Sequence, residues 1–137
     1  MNLTDLTDLL ARAKNRITSG WTQGARARDA NGNVVDPISP DARSWDMTGA
    51  VVAERPIAML PIDIYNLQSM AKKALTKAID NNPLAWWNDA ADRSREDIVS
   101  VFDKAIRMAD TMTQPPPEKP WWQRAIDYVK SVFDRCR

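Results

Sequence analysis

The chain of 137 residues contains no histidine. That single absence removes Ser-His-Asp triads, HExxH zinc sites and imidazole general bases together. Cysteine is almost missing as well. Cys136 is the only one, which leaves no internal disulfide and no cysteine-ligated metal centre. Its thiol could cross-link two chains on oxidation, but a free thiol in a reducing cytoplasm is the plainer reading. No stretch approaches the roughly 18 apolar residues of a membrane span. The first residues include Asp5 and Asp8 instead of a basic-then-apolar leader, so a cytoplasmic protein is expected. Charge of one sign is lacking too. A net charge of +1 argues against coating nucleic acid by bulk electrostatics. No glycine-rich phosphate loop is present, and no cofactor is expected.

What is present suits one small domain with an appendage: 44% of residues are apolar, enough for a core. Leu6, Leu9, Leu10, Ala13 and Ile17 recur at spacings of three and four, the signature of an amphipathic helix. Asn2 or Thr4 can cap its start, and Gly20 stands where a helix end favours positive φ. Asn31-Gly32 predicts a small two-stranded hairpin closed by a type I′ turn. Ser39-Pro40 resembles an N-cap followed by a first-turn proline, which predicts a second helix through Trp45, Gly49 and Val52. Gly49 would then leave room beside the Trp45 ring.

A third helix is predicted after Pro61, with Ile64, Leu67, Ala71, Ala74, Leu75, Ala78 and Ile79 inward and Asn81-Asn82-Pro83 ending it. Lys72, Lys73 and Lys77 lie mostly off that stripe, as a solvated face rather than a nucleic-acid contact. Trp86-Trp87-Asn88-Asp89 reads as a turn. Ser94 and Asp97 have the spacing of a capping box ahead of a fourth helix bearing Ile98, Val101, Phe102, Ala105, Ala109 and Met112. Residues 113–120 hold four prolines and should form a semi-rigid spacer. The expected architecture is therefore mainly α. A four-helix domain (1–112) with one short β-hairpin after helix 1 is followed by the spacer (113–120) and an amphipathic helix (121–137).

Three segments share a mixture of tryptophan, small and charged residues. Trp21-Thr22-Gln23-Gly24-Ala25 leads into Ala27-Arg28-Asp29 and later Asp36-Pro37. Ser44-Trp45 is followed by Gly49-Ala50, and Trp87-Asn88-Asp89 by Arg93. In this order the segments resemble a family of small bacterial and phage proteins of unknown function, over roughly residues 5 to 110. The family often carries cysteine where this chain has Asp46. The resemblance implies a fold and an origin, not an activity.

Two readings of these segments stand side by side. Trp21, Gln23, Arg26, Arg28, Asp29, Asp46, Trp87, Asn88, Asp89 and Arg93, with Trp45, Trp86 and Asp92 nearby, could line a ligand pocket in which rings supply area and polar groups orientation. Alternatively the rings fill a small core, while Arg-Asp pairs and Asn88 tie turns to helix ends. Asp29, Asp46 and Asp89 could hold Mg²⁺ for a hydrolase, but no pair has a ligand spacing, and no metal site is expected.

The last helix carries Trp121, Trp122, Ala125, Ile126, Val129, Val132 and Phe133 on one face. Such a helix can dock at home, pack on another chain, or lie on an anionic membrane surface. Burying that face would contribute several kcal/mol at about 25 cal/mol per Å² before association costs. A non-enzymatic interaction protein is expected, contacting a protein partner or a second copy through this helix. A hydrolase or small-ligand domain using the tryptophan cluster is the alternative, and peripheral membrane contact a further one.

Overall fold

The computed structural model describes residues 3–113 and 119–136. The expected Asn2 cap and the proline spacer at Pro115, Pro116 and Pro117 fall outside these residues. The chain is mainly helical: α1 (Leu3–Ser19), β1 (Ala27–Arg28), β2 (Ser44–Trp45), α2 (Met47–Ala53), α3 (Pro61–Ala78), α4 (Leu84–Asn88), α5 (Arg95–Thr113) and α6 (Trp121–Arg135).

The periodic apolar positions of the three long helices meet in one core. α1 packs on both α3 and α5, which also pack on each other, and α2 closes the end against α1 and α3. Leu6, Leu9, Leu10, Ala13 and Ile17 of α1 are all buried, with Phe102 the largest fully enclosed side chain. Alanine dominates the seams: Ala71, Ala74, Ala78, Ala105 and Ala109 are buried, and small residues let helix axes approach closely. The capping box forms reciprocally. The Ser94 N–H donates to Asp97 Oδ2 at 2.9 Å and the Asp97 N–H to Ser94 Oγ at 3.2 Å, so two otherwise orphaned donors of the first turn are satisfied.

The segment between α1 and α2 departs most from expectation. The antiparallel ribbon after α1 is present, with Ala27 opposite Trp45 and Arg28 opposite Ser44. The Asn31-Gly32 turn sits beside it, joined by a bridge from Arg28 to Val34. Only Gly32 of this pair has positive φ, so the turn is not type I′. The Asp29 carboxylate shapes it by accepting from the N–H groups of Asn31 and Asn33, each at 2.9 Å. No helix opens at Ser39-Pro40. Ser39 Oγ instead accepts from the Asp41 N–H at 3.1 Å within a turn, a local alternative that serine offers the backbone. Trp45 consequently lies in β2, and α2 begins at Met47 under an Asp46 cap.

Two glycines are required for close approach and not for the reasons expected. Gly20 does not have positive φ; a Cβ there would lie 2.0 Å from the Arg43 carbonyl oxygen. At Gly49 a Cβ would lie 1.9 Å from the Arg26 carbonyl oxygen, so it is backbone, not the Trp45 ring, that occupies the space. α3 ends with Asp80 and Asn81 both in the left-handed region, which turns the chain toward Pro83. The Trp86-Trp87-Asn88 segment belongs to the short helix α4 rather than to a turn.

Candidate functional site

Asn88 is completely buried at the end of α4. A side-chain amide offers two donors and two acceptor lone pairs, and all four are used. Asn88 Oδ1 accepts from Trp21 Nε1 at 3.0 Å and from the Met47 N–H at 3.2 Å. Asn88 Nδ2 donates to the Thr22 carbonyl at 3.1 Å and to Asp89 Oδ1 at 2.9 Å. The end of α1, the start of α2 and the α4 turn therefore converge on one amide.

The neighbours extend this hub. Gln23 Nε2 donates to the carbonyls of Asn88 and Ala90 at 3.0 and 2.9 Å, and the Gly24 N–H donates to Asp89 Oδ1 at 3.0 Å. Arg93 Nε donates to the Trp87 carbonyl at 2.9 Å while its guanidinium stacks 3.5 Å from the Trp87 ring centroid. No buried side-chain nitrogen or oxygen among the described residues is left without a partner.

Of the sequence-derived cluster, Trp21, Gln23, Asn88 and Asp89 join directly, with Asp46 adjoining through the first turn of α2. Trp87 and Arg93 form a stacked pair beside them. Arg28 lies one layer out, donating to Thr22 Oγ1 and to the Gln23 and Gly32 carbonyls, which fastens the ribbon to the hub. Asp29 is engaged in the Asn31-Gly32 turn, apart from Asp46 and Asp89. Arg26 is exposed with its charge beside Asp46, and Trp86 and Asp92 are exposed. Among the described residues no ion pair joins these arginines to Asp29, Asp46 or Asp89; Arg28 and Arg93 instead spend their donors on backbone carbonyls and one hydroxyl. Nor do three carboxylates converge as metal ligands among the described residues.

Asp46 is a buried acid at the edge of the hub. Burial pushes its carboxyl above the usual range, the Gly49 N–H and the Arg26 guanidinium oppose that rise, and the Asp89 carboxylate adds to it. Oδ1 accepts from the Gly49 N–H at 2.6 Å and caps α2. An acid with a raised folded pKa holds its proton more tightly folded than unfolded. Its contribution to stability is therefore greatest below the unfolded value and declines as pH rises through the folded one. Asp46→Asn keeps a capping acceptor and removes the charge, so it should leave stability at neutral pH equal or higher and flatten that decline. Asp46→Ala should lose about 1 kcal/mol with the cap. Urea unfolding at a series of pH values checks both; an Asn variant as weak as the Ala one would mean that the cap needs the charge.

Concave surface lies beside the hub rather than within it. A shallow depression of about 490 Å³ is bordered by Gly20, Trp21, Ser94, Arg95 and Glu96. A groove of about 480 Å³ between α1 and the α2–α3 connection is lined by Asp5, Asp8, Arg12, Arg16, Glu54 and Arg55 over Leu9, Met59 and Leu67. Its charges are partly spent on each other, with Arg16 Nε 2.6 Å from Glu54 Oε1.

The residues 1–108 match the model of a family of unknown function, DUF6197. The chain belongs to that family. No curated protein and no solved structure matches it significantly. The DUF6197 region contains the whole Asn88 hub and the ribbon, whereas α6 follows it. The hub residues that sequence reasoning missed, Met47 and Ala90, contribute only backbone groups, which carry no side-chain signal.

Beyond the DUF6197 region, α6 begins at Trp121 behind Pro120 and buries none of its residues. Trp121, Trp122, Ala125, Ile126, Val129, Val132 and Phe133 are all exposed, from 39% at Val132 to 74% at Trp121. Tyr128, 70% exposed, extends this face. The sequence reading left it out although it stands two turns after Trp121, on the border of the face marked by Trp121, Trp122, Ala125, Ile126, Val129, Val132 and Phe133. None of the described helices is long and apolar enough to cross a membrane.

Proposed function

We propose that this protein is a non-catalytic docking factor. In this reading the helical domain is a rigid carrier and α6 is the contact element, burying its apolar face on another surface in the cytoplasm. The bacterial or phage origin suggested by the Trp-Thr-Gln-Gly-Ala, Ser-Trp and Trp-Asn-Asp segments fits an accessory role. The observation that carries the reading is that a helix with so complete an apolar face buries no residue. An isolated helix of fewer than about 12–15 residues is marginal in water, and packing of an amphipathic face supplies most helical stability in proteins. At 15 residues, α6 therefore gains from a surface to lie on. The polar groups of the Asn88 hub, satisfied by one another, support a structural part for the domain and not a catalytic one.

The test is the thermal stability of the chain ending at Met112 against the full chain. Because α6 contributes no buried residue, truncation should change stability by less than about 0.5 kcal/mol, roughly 2 °C in Tm, while binding of a hydrophobic dye falls sharply. A fall of several kcal/mol in the truncated chain would mean that α6 docks on its own domain, and would end the proposal.

A further inference from the structure

We infer that the surface α6 docks on is an anionic lipid surface, a conclusion that rests on the docking reading above and deepens it. Three observations favour lipid over a second protein chain.

The first is where the charges sit around the helix. At about 100° per residue, Trp121, Ala125, Val129 and Val132 run along the middle of one face with Trp122, Ile126 and Phe133 beside them. Lys130 follows Ile126 on one border; Arg135 and Arg124 follow Tyr128 and Trp121 on the other. The two acids, Asp127 and Asp134, stand on the pole opposite the apolar face, and Asp127 is paired with Lys119 at 2.8 Å. Cations at the borders can keep their heads among phosphates while their stems lie along the acyl boundary, and acids at the pole stay in water. The second observation is charge along the chain. Residues 119–137 carry five basic and two acidic side chains, a net +3, against +1 for the whole chain, which leaves −2 for residues 1–118. Basic charge and an aromatic-rich apolar face thus coincide in one short segment. Tryptophan and tyrosine favour the headgroup level, where one end of the ring is apolar and the other wet.

The third observation weighs against a second copy. A helix of 15 residues spans about two heptads, short of the three or four that sustain a coiled coil. Its apolar arc is wider than an a/d seam, so pairing two copies would leave part of each face in water. An in-plane position in a bilayer interface covers the entire face.

The experiment is flotation of the full chain with vesicles of phosphatidylcholine alone and of phosphatidylcholine with roughly a third phosphatidylglycerol, at low and high salt. Binding is expected only to the anionic vesicles and should weaken with salt. Lys130→Gln with Arg135→Gln should lower partitioning about 25-fold, near fivefold for each basic residue removed. Val129→Glu should abolish it, and Asp134→Asn should leave it intact or stronger. Absence of flotation with anionic vesicles overturns the lipid inference, as does equal binding to neutral vesicles that ignores Lys130 and Arg135. The docking reading falls separately, on the truncation result. If truncation leaves the domain's stability unchanged, vesicles do not bind, and the full chain self-associates until Val129→Glu is made, α6 docks on a second copy and only the lipid inference is lost.

Discussion

Asn88→Ala is expected to lower the stability of the domain by about 3–5 kcal/mol, a large part of the 5–15 kcal/mol typical of a folded domain. The magnitude follows from what the substitution orphans. The Trp21 indole N–H, the Met47 N–H and the Thr22 carbonyl would all lose the fully buried amide that now serves them. Each unsatisfied buried group costs about 1–3 kcal/mol, and water can rescue only those it can reach. Asn88→Asp should be at least as damaging despite its matching shape. It would turn a carboxylate oxygen toward the Thr22 carbonyl and toward the Asp89 carboxylate, where the amide now donates. Chemical denaturation of both variants measures this. A loss below about 1 kcal/mol for Asn88→Ala would show that ordered water replaces the amide and that the hub does not hold the loops.

Gly49→Ala carries the second large effect, about 3 kcal/mol or more and some 10 °C in Tm. The added methyl would meet the Arg26 carbonyl oxygen at 1.9 Å. That oxygen is itself fixed, accepting from the Asp46 N–H at 3.1 Å, and Asp46 in turn caps α2 through the Gly49 N–H. Relief would require the Arg26 peptide, just ahead of β1, to move away from α2 and so break its bond with the Asp46 N–H. Gly32→Ala is the control. Nothing lies near a Cβ there, so only the left-handed backbone conformation resists, at about 1 kcal/mol. Equal losses at the two positions would show that the Arg26–α2 contact yields easily.

How much of this was legible depends on which physical signal wrote each element. α1, α3 and α5 are long and amphipathic, so their inward residues were readable from spacing alone. The Ser94–Asp97 cap was readable because both partners lie within one turn. The start of α2 was not: Ser39-Pro40 carries the chemistry of a helix opening but is consumed by a turn, while the true signal was Asp46 with Gly49 three residues on. The short α4 gave too few residues for periodicity to register. The tryptophan-rich segments were recognisable as one constellation, yet its geometry could not be deduced, because half of the hub's partners are backbone atoms. The expected Arg-Asp pairs illustrate the same limit. Charge complementarity suggested carboxylates as partners, but loops crossing a small core leave carbonyls in greater need of donors.

The hub also imposes an order on the making of the protein. Its bonds join Asn88 to Trp21, Thr22 and Met47 across separations of 67, 66 and 41 residues. A nascent chain that has exposed α1, the ribbon and α2 already holds the Trp21, Thr22 and Met47 groups that Asn88 will satisfy, but not Asn88 itself. During synthesis at about 5–20 residues per second, those donors and carbonyls must remain in water for seconds, and the intervening loops pay their closure entropy all at once when α4 arrives. The first half of the domain therefore waits, hydrated, for one amide translated near its end.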